Sequence, residues 1–515
     1  MFYEINPMKK LILLISILLS CFFSVAQTEL VPEIKNQKGF MKLDFLSLKM
    51  FETSIANEPN MELTGIHYNL LLNENFYTGV GIYGAVTGKR GGFFTLGINA
   101  GFKQKITNRL YIDTGFHFGG GGGASAPDGG GAFILPHLNL GYDFKAFSLN
   151  TGWSFVTFFD EGLIKGNQFN MALEIPLSFN YSNYDATEKI FSEALLSASS
   201  WKQETKKTSF LVHFNNLKVK NEGRLKGKTI KLAGFEFANY FTKNWFAFFK
   251  VDGAYGGIKA GFMDVFLGGG YHFSCNKANT NIILKLAAGA GGGGGVDSDG
   301  GFMLSSDISI EQKIFNEVYL ALNKGYVFTP SRVFSTSSYG ISLKYYLERN
   351  GTFSNERAFK KGKFKGVEIV LKQDWYFNAK RITETTEDMH QISLQINLDL
   401  NENLFLAGQT SFANFGNAGA YAEGLIGAGI KTNNVAINNT TLFAQVLAGA
   451  AGGGNIGTGE GLIIKPSLGT DYQLNNTLSI RGSIGYVKAK GGSLSNSFIN
   501  FGLKYNFSFL NMNSL

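Results

Sequence analysis

The 515-residue chain is 17% charged and 44% apolar, with a formal net charge of +8. It could fill roughly two to four ordinary domains, yet beyond residue 26 it has no apolar run near the roughly 18 residues a membrane helix needs. Its 65 glycines, 48 phenylalanines and 21 tyrosines against eight prolines point to many strands and tight turns, and Lys and Arg are spread through turns and loops, which argues against a nucleic-acid partner.

Residues 1–26 read as a secretory signal peptide. Lys9 and Lys10 form its basic end, Leu11 to Val25 the apolar stretch, and Ser24-Val25-Ala26 a small-x-small cleavage site before Gln27. Met8 makes the tidier start. Cys21, preceded by Leu18-Leu19-Ser20, is a competing lipidation site, but Leu19 is bulky for one and Phe22-Phe23 continues the apolar stretch. Removing the leader leaves only Cys275, so no intrachain disulfide is expected.

A first unit is predicted over 37–182. In residues 93–103, Phe94, Leu96, Ile98, Ala100 and Phe102 fall on one face, with Thr95, Gly97, Asn99, Gly101 and Lys103 on the other. That period of two is a strand signature. Phe169, Met171, Leu173, Ile175, Leu177, Phe179 and Tyr181 alternate the same way against Asn170, Ala172, Glu174, Ser178 and Asn180. Connections alternate too: long at 52–60, 87–92, 119–131 and 157–167, short at Asn73-Glu74-Asn75, 105–108 and about 145–146. Long outer loops and short periplasmic turns are the pattern of an outer-membrane barrel.

Residues 183–206 are predicted to form a linker with a short amphipathic helix within Ala186–Lys202, where Ile190, Ala194, Leu195, Ala198 and Trp201 lie near helical spacing. A second unit covers 207–348, a polar and basic joint 349–363, and a third unit 364–510. The units are tied by internal repeats. Leu70-Leu71-Leu72-Asn73-Glu74-Asn75-Phe76 is echoed by Leu398-Asp399-Leu400-Asn401-Glu402-Asn403-Leu404, with Phe241-Thr242-Lys243-Asn244-Trp245 between them. A glycine hairpin recurs at Gly119–Gly123 with Asp128 and Gly129–Gly131, at Gly291–Gly295 with Asp297, Asp299 and Gly300-Gly301, and at Gly452–Gly454 with Gly457, Gly459 and Gly461. In the third unit Ile392, Leu394, Ile396, Leu398 and Leu400 repeat the alternation.

Apolar faces of this length approach the about 9–11 residues of a tilted membrane strand. Aromatics gather at strand ends, as in Tyr345-Tyr346 and Tyr505, Phe507 and Phe509, where interfacial girdles belong. An open strand edge is unsatisfied in hydrocarbon, so the strands must close. The expected fold is all-β: a transmembrane up-and-down antiparallel β-barrel of three eight-strand repeats. Three tandem eight-stranded barrels are preferred, because inward Tyr111, Phe133, Leu135 and His137 among glycines suit a filled interior. One 24-stranded barrel is the alternative. Pro136, Pro176 and Pro466 would sit at bulges.

In strand pattern, turn alternation and aromatic strand ends, residues 37–510 resemble the small eight-stranded outer-membrane barrel proteins, of the kind typified by OmpX and the OmpA membrane domain. The resemblance implies a location in the outer membrane. It carries over no functional residue.

Three chemistries meet partial support in the residues. Asp297 and Asp299, with Asp128 in the matching hairpin, are oxygen donors of the kind calcium takes. The third unit has Asn455 and Glu460 instead, no bidentate acid stands at a fixed spacing, and a flexible loop tip is expected. The same glycines join strand to strand, without the helix N-terminus that phosphate cradles use. Of His67, His117, His137, His213, His272 and His390, the inward set is expected to be His117, His137 and His272. His272 has Ser274 on the same face, but no acid is placed to orient the ring. Asp113, Asp143, Glu174, Asp307 and Glu311, with Arg109, Lys285 and Lys313, are expected to pair inside the barrel. No catalytic, cofactor or metal residue is therefore assigned. The expected partners are outer-membrane lipids and an extracellular ligand or protein at the outer loops. The expected role is structural or surface-interacting and non-enzymatic, with a diffusion porin as the alternative and a lipid-modifying barrel enzyme as a remote one.

Overall fold

The computed structural model describes residues 30–50, 55–221, 223–355, 357–383, 385–432 and 439–513. The leader predicted at 1–26, with Cys21, lies outside them.

The chain is an all-β antiparallel barrel-type protein with almost no helix. Its first eight strands are β1 (Lys35–Leu48), β2 (Met61–Leu71), β3 (Phe76–Thr87), β4 (Phe94–Lys105), β5 (Leu110–Gly122), β6 (Phe133–Asp143), β7 (Ser148–Phe158) and β8 (Lys165–Tyr181). A three-residue strand, β9 (Ile190–Ser192), follows. Then come β10 (Lys206–Val219), β11 (Thr229–Tyr240), β12 (Trp245–Gly256), β13 (Met263–Cys275), β14 (Thr280–Gly292), β15 (Phe302–Phe315), β16 (Val318–Phe328) and β17 (Ser335–Arg349). The last eight are β18 (Lys361–Lys380), β19 (Thr386–Asp399), β20 (Leu404–Phe415), β21 (Ala422–Lys431), β22 (Thr440–Gly452), β23 (Leu462–Gln473), β24 (Leu478–Ala489) and β25 (Ser495–Asn513).

Neighbouring strands pair in sequence order, and each set of eight returns to its own first strand. β1 pairs β8 from Lys35↔Tyr181 to Leu46↔Asn170, with Lys42 opposite Glu174. β10 pairs β17 from Lys206↔Arg349 to Val219↔Thr336. β18 pairs β25 from Lys361↔Asn513 to Tyr376↔Phe498. The strand of Lys42 thus meets that of Asn180 and not that of Lys504, which removes the single 24-stranded ring. The second and third rings are stitched at Glu348↔Met512 and Arg349↔Asn511.

Period-two alternation sets the faces. On β8, Gln168, Asn170, Ala172 and Glu174 are buried while Phe169 is 67% exposed, and Met171 is exposed beside it. The same logic turns Leu138, Leu140, Leu322, Ile341 and Leu468 outward. Not every outward apolar residue is exposed. Phe94 and Leu96 of β4 join Val265, Ala290 and Phe412 in one buried cluster, although all five point away from their own lumens. Here the rings pack on one another: β3 against β14, β12 against β22, and β20 against β5. The third strand of each ring meets the fifth strand of another, so the contacts run cyclically and close. Glycine and alanine permit the approach. A Cβ on Gly84 would lie 2.7 Å from the Ala290 methyl, and one on Gly253 2.8 Å from the Ala450 methyl.

Several expectations are corrected. The helix predicted within Ala186–Lys202 shrinks to a 3₁₀ turn, Tyr184–Ala186, and one five-residue helix, Glu193–Ser197. The stretch between is β9, drawn onto Lys361–Lys363 by backbone pairing. Pro136 and Pro466 cause no bulge; the register runs through Phe116↔Pro136 and Val446↔Pro466, and each merely lacks pairing on its other side. Pro176 lies beyond the last β7 pair, so it costs no ladder bond there. Register shifts fall elsewhere: three at the same place in each ring, Glu62/Leu63, Lys231/Leu232 and His390/Gln391, and two without counterparts, Lys313/Phe315 and Tyr376/Ala379. The C-terminal aromatics are not a free girdle. Phe507 and Phe509 are buried, and Phe507 packs on Phe179 at 5.7 Å and Tyr181 at 5.9 Å. Tyr346 points inward and is buried.

Candidate functional site

The three lumens are where polar chemistry concentrates. In the first ring, the inward residues of β1–β6 gather Lys42, Asp44, His67, Asn69, Asn99, Asp113, His117 and His137, all buried. Tyr83 donates to Asp44 at 2.7 Å and Tyr77 to Asp113 at 2.9 Å. Lys103 pairs with Glu174 at 2.5 Å, and Tyr111 donates to the same carboxylate. In the second ring, Lys285 meets Glu236 at 2.8 Å, Lys344 meets Glu311 at 2.7 Å, Lys250 meets Asp252 at 2.7 Å, and His213 also contacts Asp252. The third ring carries the densest network. Lys465 bridges Asp374 (2.7 Å) and Glu423 (3.1 Å); Arg481 forks onto Asp471 at 2.6 and 2.7 Å; Lys504 joins Asp471 to Glu368. Pairing and hydrogen bonding are what make such buried charges tolerable.

Little open volume is left. The second lumen holds a cavity of about 30 Å³ beside His213, Glu236, Lys250 and Asp307, and the first one of about 10 Å³. That is room for roughly one or two waters.

The glycine hairpins close one end. They are not the flexible tips expected from the sequence; each folds back over its lumen. Ala126 N–H donates to the Gly123 carbonyl, Val296 to Gly293 and Ile456 to Gly453, at 2.9, 3.0 and 3.0 Å. These tight turns use glycines at φ +131°, +89° and +100°. They carry Ala126, Val296 and Ile456 into apolar plugs. The plugs are completed by Phe93, Phe133 and Phe158 in the first ring, Phe262, Met303 and Phe334 in the second, and Met389, Tyr421 and Leu494 in the third. Asp128, in the first of these hairpins, accepts from Gly123 N–H at 2.7 Å. Burial pushes its carboxyl up to about 7, against the opposing pull of that N–H and of Arg90. Nearby Arg90 is itself buried and forks onto Glu58 at 2.6 and 2.8 Å.

At the opposite end the joint after β8 caps the third lumen. Tyr184 donates to Glu368 at 3.0 Å and Asp399 at 2.6 Å, and contacts Lys431. Trp201 is wholly buried against Phe364 at 5.3 Å. The joint's apolar residues were legible, but not the lumen they would enter.

His117, His137 and His272 are inward and buried, as are His67 and His213, which the sequence did not single out. Asp113, Glu174, Asp307, Glu311 and Lys285 do pair inside. Asp143, Arg109 and Lys313 do not: they lie at the short turns, Asp143 accepting from Lys145 N–H at 2.6 Å and Arg109 donating to Tyr142 at 3.1 Å. Ser274 comes within 3.2 Å of His272 Nε2, but Nδ1 faces Tyr240 at 2.9 Å, with no carboxylate in the orienting place. Asp297 and Asp299 are exposed, and among the described residues no three His, Cys, Asp or Glu side chains are grouped to hold a metal.

No protein-family model and no curated protein matches this sequence. Solved structures with which it aligns include OccK11 (OpdR) of Pseudomonas aeruginosa, at 10% identity over 92% of this chain and 96% of that one, with a TM-score of 0.22. The siderophore receptor PirA of the same organism aligns at 8% identity over 93% and 81%, TM-score 0.25. Its ferric enterobactin receptor PfeA aligns at 10% over 93% and 82%, TM-score 0.28. Likenesses at this level carry no functional argument.

Proposed function

We propose that the chain is an integral outer-membrane protein made of three tandem eight-stranded barrels, which acts as a non-enzymatic structural or surface-interaction platform. The observation that carries this reading is the combination of an apolar outside with filled insides. Leu138, Phe169, Leu322, Ile341 and Leu468 are exposed on rings whose interiors hold charged and paired side chains, the inverse of a water-soluble barrel and the arrangement hydrocarbon demands. The loops at the plugged end are then the parts offered to the outside, where function on a rigid scaffold is usually carried.

Passage of small solutes or ions is the second reading. In its favour is the run of charged groups in the third lumen, from Lys465 and Glu423 through Glu368 to Lys431. The names of the aligned structures include siderophore receptors, but similarity that low adds nothing. Against it stand the apolar plugs. The intact protein in planar bilayers is expected to give no stable large conductance. Reproducible channels in the nanosiemens range would refute the platform reading and put transport first.

A further inference from the structure

The scattered cations of the sequence hide one concentration. Residues 218–231 contain Lys218, Lys220, Arg224, Lys226, Lys228 and Lys231 against the single acid Glu222. The six basic residues are all exposed, at the plugged end of the second ring, where β10 passes into β11.

The ladder shows where these charges point. Two cross-strand rows run over four adjacent strands of the second ring. One reads Lys324, Tyr339, Asn216 and Lys231, through the pairs Lys324↔Tyr339, Asn216↔Tyr339 and Asn216↔Lys231. The next, nearer the loops, reads Tyr326, Ser337, Lys218 and Thr229. By alternation both rows face away from the lumen, since His213, Asn215 and Leu217 between them on β10 are buried inward. The row beneath is Leu322, Ile341, Phe214 and Ala233, with the first three exposed. Within one row spacing the outer surface changes from hydrocarbon-like to Lys and Tyr. Lys220 lies over the Tyr326 ring at 4.8 Å and Lys324 over the Tyr339 ring at 5.5 Å, which holds the ammonium groups at that boundary.

The scaffold does not require this. The matching row of the third ring is Ile484, Ile499, Trp375 and His390, without a lysine. Most of the row stays clear of the other rings: the second ring's contacts fall chiefly on β12 and β14, β11 meets β22 at the row's edge, where Lys231 approaches Glu460, and β17 pairs with β25 at Glu348 and Arg349, the opposite end.

We infer that this rim of the second ring is a binding surface for phosphate-bearing lipid headgroups, with Lys218, Lys220, Lys231 and Lys324 meeting the phosphate and the Leu322, Ile341 and Phe214 row meeting the acyl chains. Charge complementarity and the apolar row directly below select an amphiphile over a soluble anion. The inference rests on the proposed membrane placement.

The test uses the full chain refolded in detergent, titrated with phosphatidic acid, with diacylglycerol of the same chains, and with glycerol 3-phosphate, bound lipid being read by native mass spectrometry. Phosphatidic acid is expected to be retained and diacylglycerol lost. The fourfold variant Lys218→Gln, Lys220→Gln, Lys231→Gln, Lys324→Gln should bind phosphatidic acid at least about tenfold more weakly, and arginine at the same positions should restore it. Equal retention of diacylglycerol, or unchanged binding by the variant, overturns the inference. Full displacement by equimolar glycerol 3-phosphate would make this a free-anion site and overturn the lipid assignment. Flotation with pure phosphatidylcholine vesicles scores the membrane placement separately. Failure there refutes the placement, whereas insertion without phosphate preference refutes only the lipid surface.

Discussion

Lys465 offers the sharpest test of how the interior holds together. Its side chain is 2% exposed, those of Asp374 and Glu423 are 0% exposed, and its ammonium is the shared cation of both carboxylates. Lys465→Met fills similar volume but leaves Glu423 with neutral donors alone, Tyr376 and Tyr421, and Asp374 with Ser393, Gln409 and the longer 3.9 Å pair to Lys372. Removing one partner of a buried ion pair costs about 3–5 kcal/mol. Because those neutral donors remain, the expected loss is about 3 kcal/mol. Adding Asp374→Asn and Glu423→Gln should restore most of it, since the charge itself is then gone. The tryptophans make the assay specific: Trp153 stands on β7, Trp245 on β12, Trp375 on β18 and Trp201 in the joint. Urea unfolding is followed in proteins that keep only Trp375 or only Trp153, the others being Phe, with and without Lys465→Met. The shift should be read at Trp375 and be small at Trp153. A loss below about 1 kcal/mol, or no restoration in the triple variant, would refute the electrostatic reasoning. An equal shift at both reporters would show that the rings unfold as one body.

Other outcomes follow from single sites. Asp128 has a folded-state value near 7 against an ordinary 3.8, so its neutral form is the one the hairpin accommodates; stability is full at low pH and falls as pH rises from about 4 to about 7, by at most about 4 kcal/mol. Hydrogen exchange across 123–132, after the intrinsic base-catalysed rise is divided out, should therefore quicken between about pH 4 and about pH 7, and Asp128→Asn should abolish that increase. Gly92, at φ +96°, has the Gly293 backbone where a Cβ would stand; Gly92→Val should cost about 2–4 kcal/mol in urea unfolding, and a neutral effect would remove the tight ring contact. Tyr184→Phe deletes a hydroxyl that shares its one proton between Asp399 and Glu368 and accepts from Lys431, worth about 1–3 kcal/mol; exchange of the Ile190–Ser192 amides should rise, and unchanged protection there would mean the tyrosine does not hold the joint.

Strand faces were legible because alternation is a local property: the residues predicted outward on β8 and inward on β5 and β6 lie where period two puts them. The repeat of the glycine hairpin was equally visible. Its task was not, because glycine content is compatible with a loose tip or with a tight turn. Only the hydrogen bonds of Ala126, Val296 and Ile456 decide for the turn. The charged residues near turns divided for a similar reason. Parity gives a side chain's face but not its depth, so Asp113 and Asp143, both of the inward parity, end in a buried pair and at an exposed turn. The cyclic packing of β3, β12 and β20 against β14, β22 and β5 left one trace in the sequence, small outward residues such as Gly84, Gly253, Ala290 and Ala450. On a membrane strand such residues read equally well as facing lipid.

The threefold pattern separates what the scaffold needs from what it does not. Plug residues, the register shift between each ring's second and third strands, and the contact of third strand on fifth recur at matched places in all three rings, so each follows from closing and packing an eight-stranded ring. Departures from the pattern have no such cause. The first ring alone stacks His67, Tyr83 and His117 edge to face, the third alone receives a tyrosine from the joint, and the second alone turns a lysine and tyrosine row toward the outside. The first two are enclosed, behind plugs and paired charges, and can act only if a ring opens. The third is exposed at the boundary of the apolar surface. If any side-chain cluster of this protein meets a partner without rearrangement, it is that one, which is why replacing four lysines there should change lipid binding while leaving unfolding of the second ring, read at Trp245, where it was.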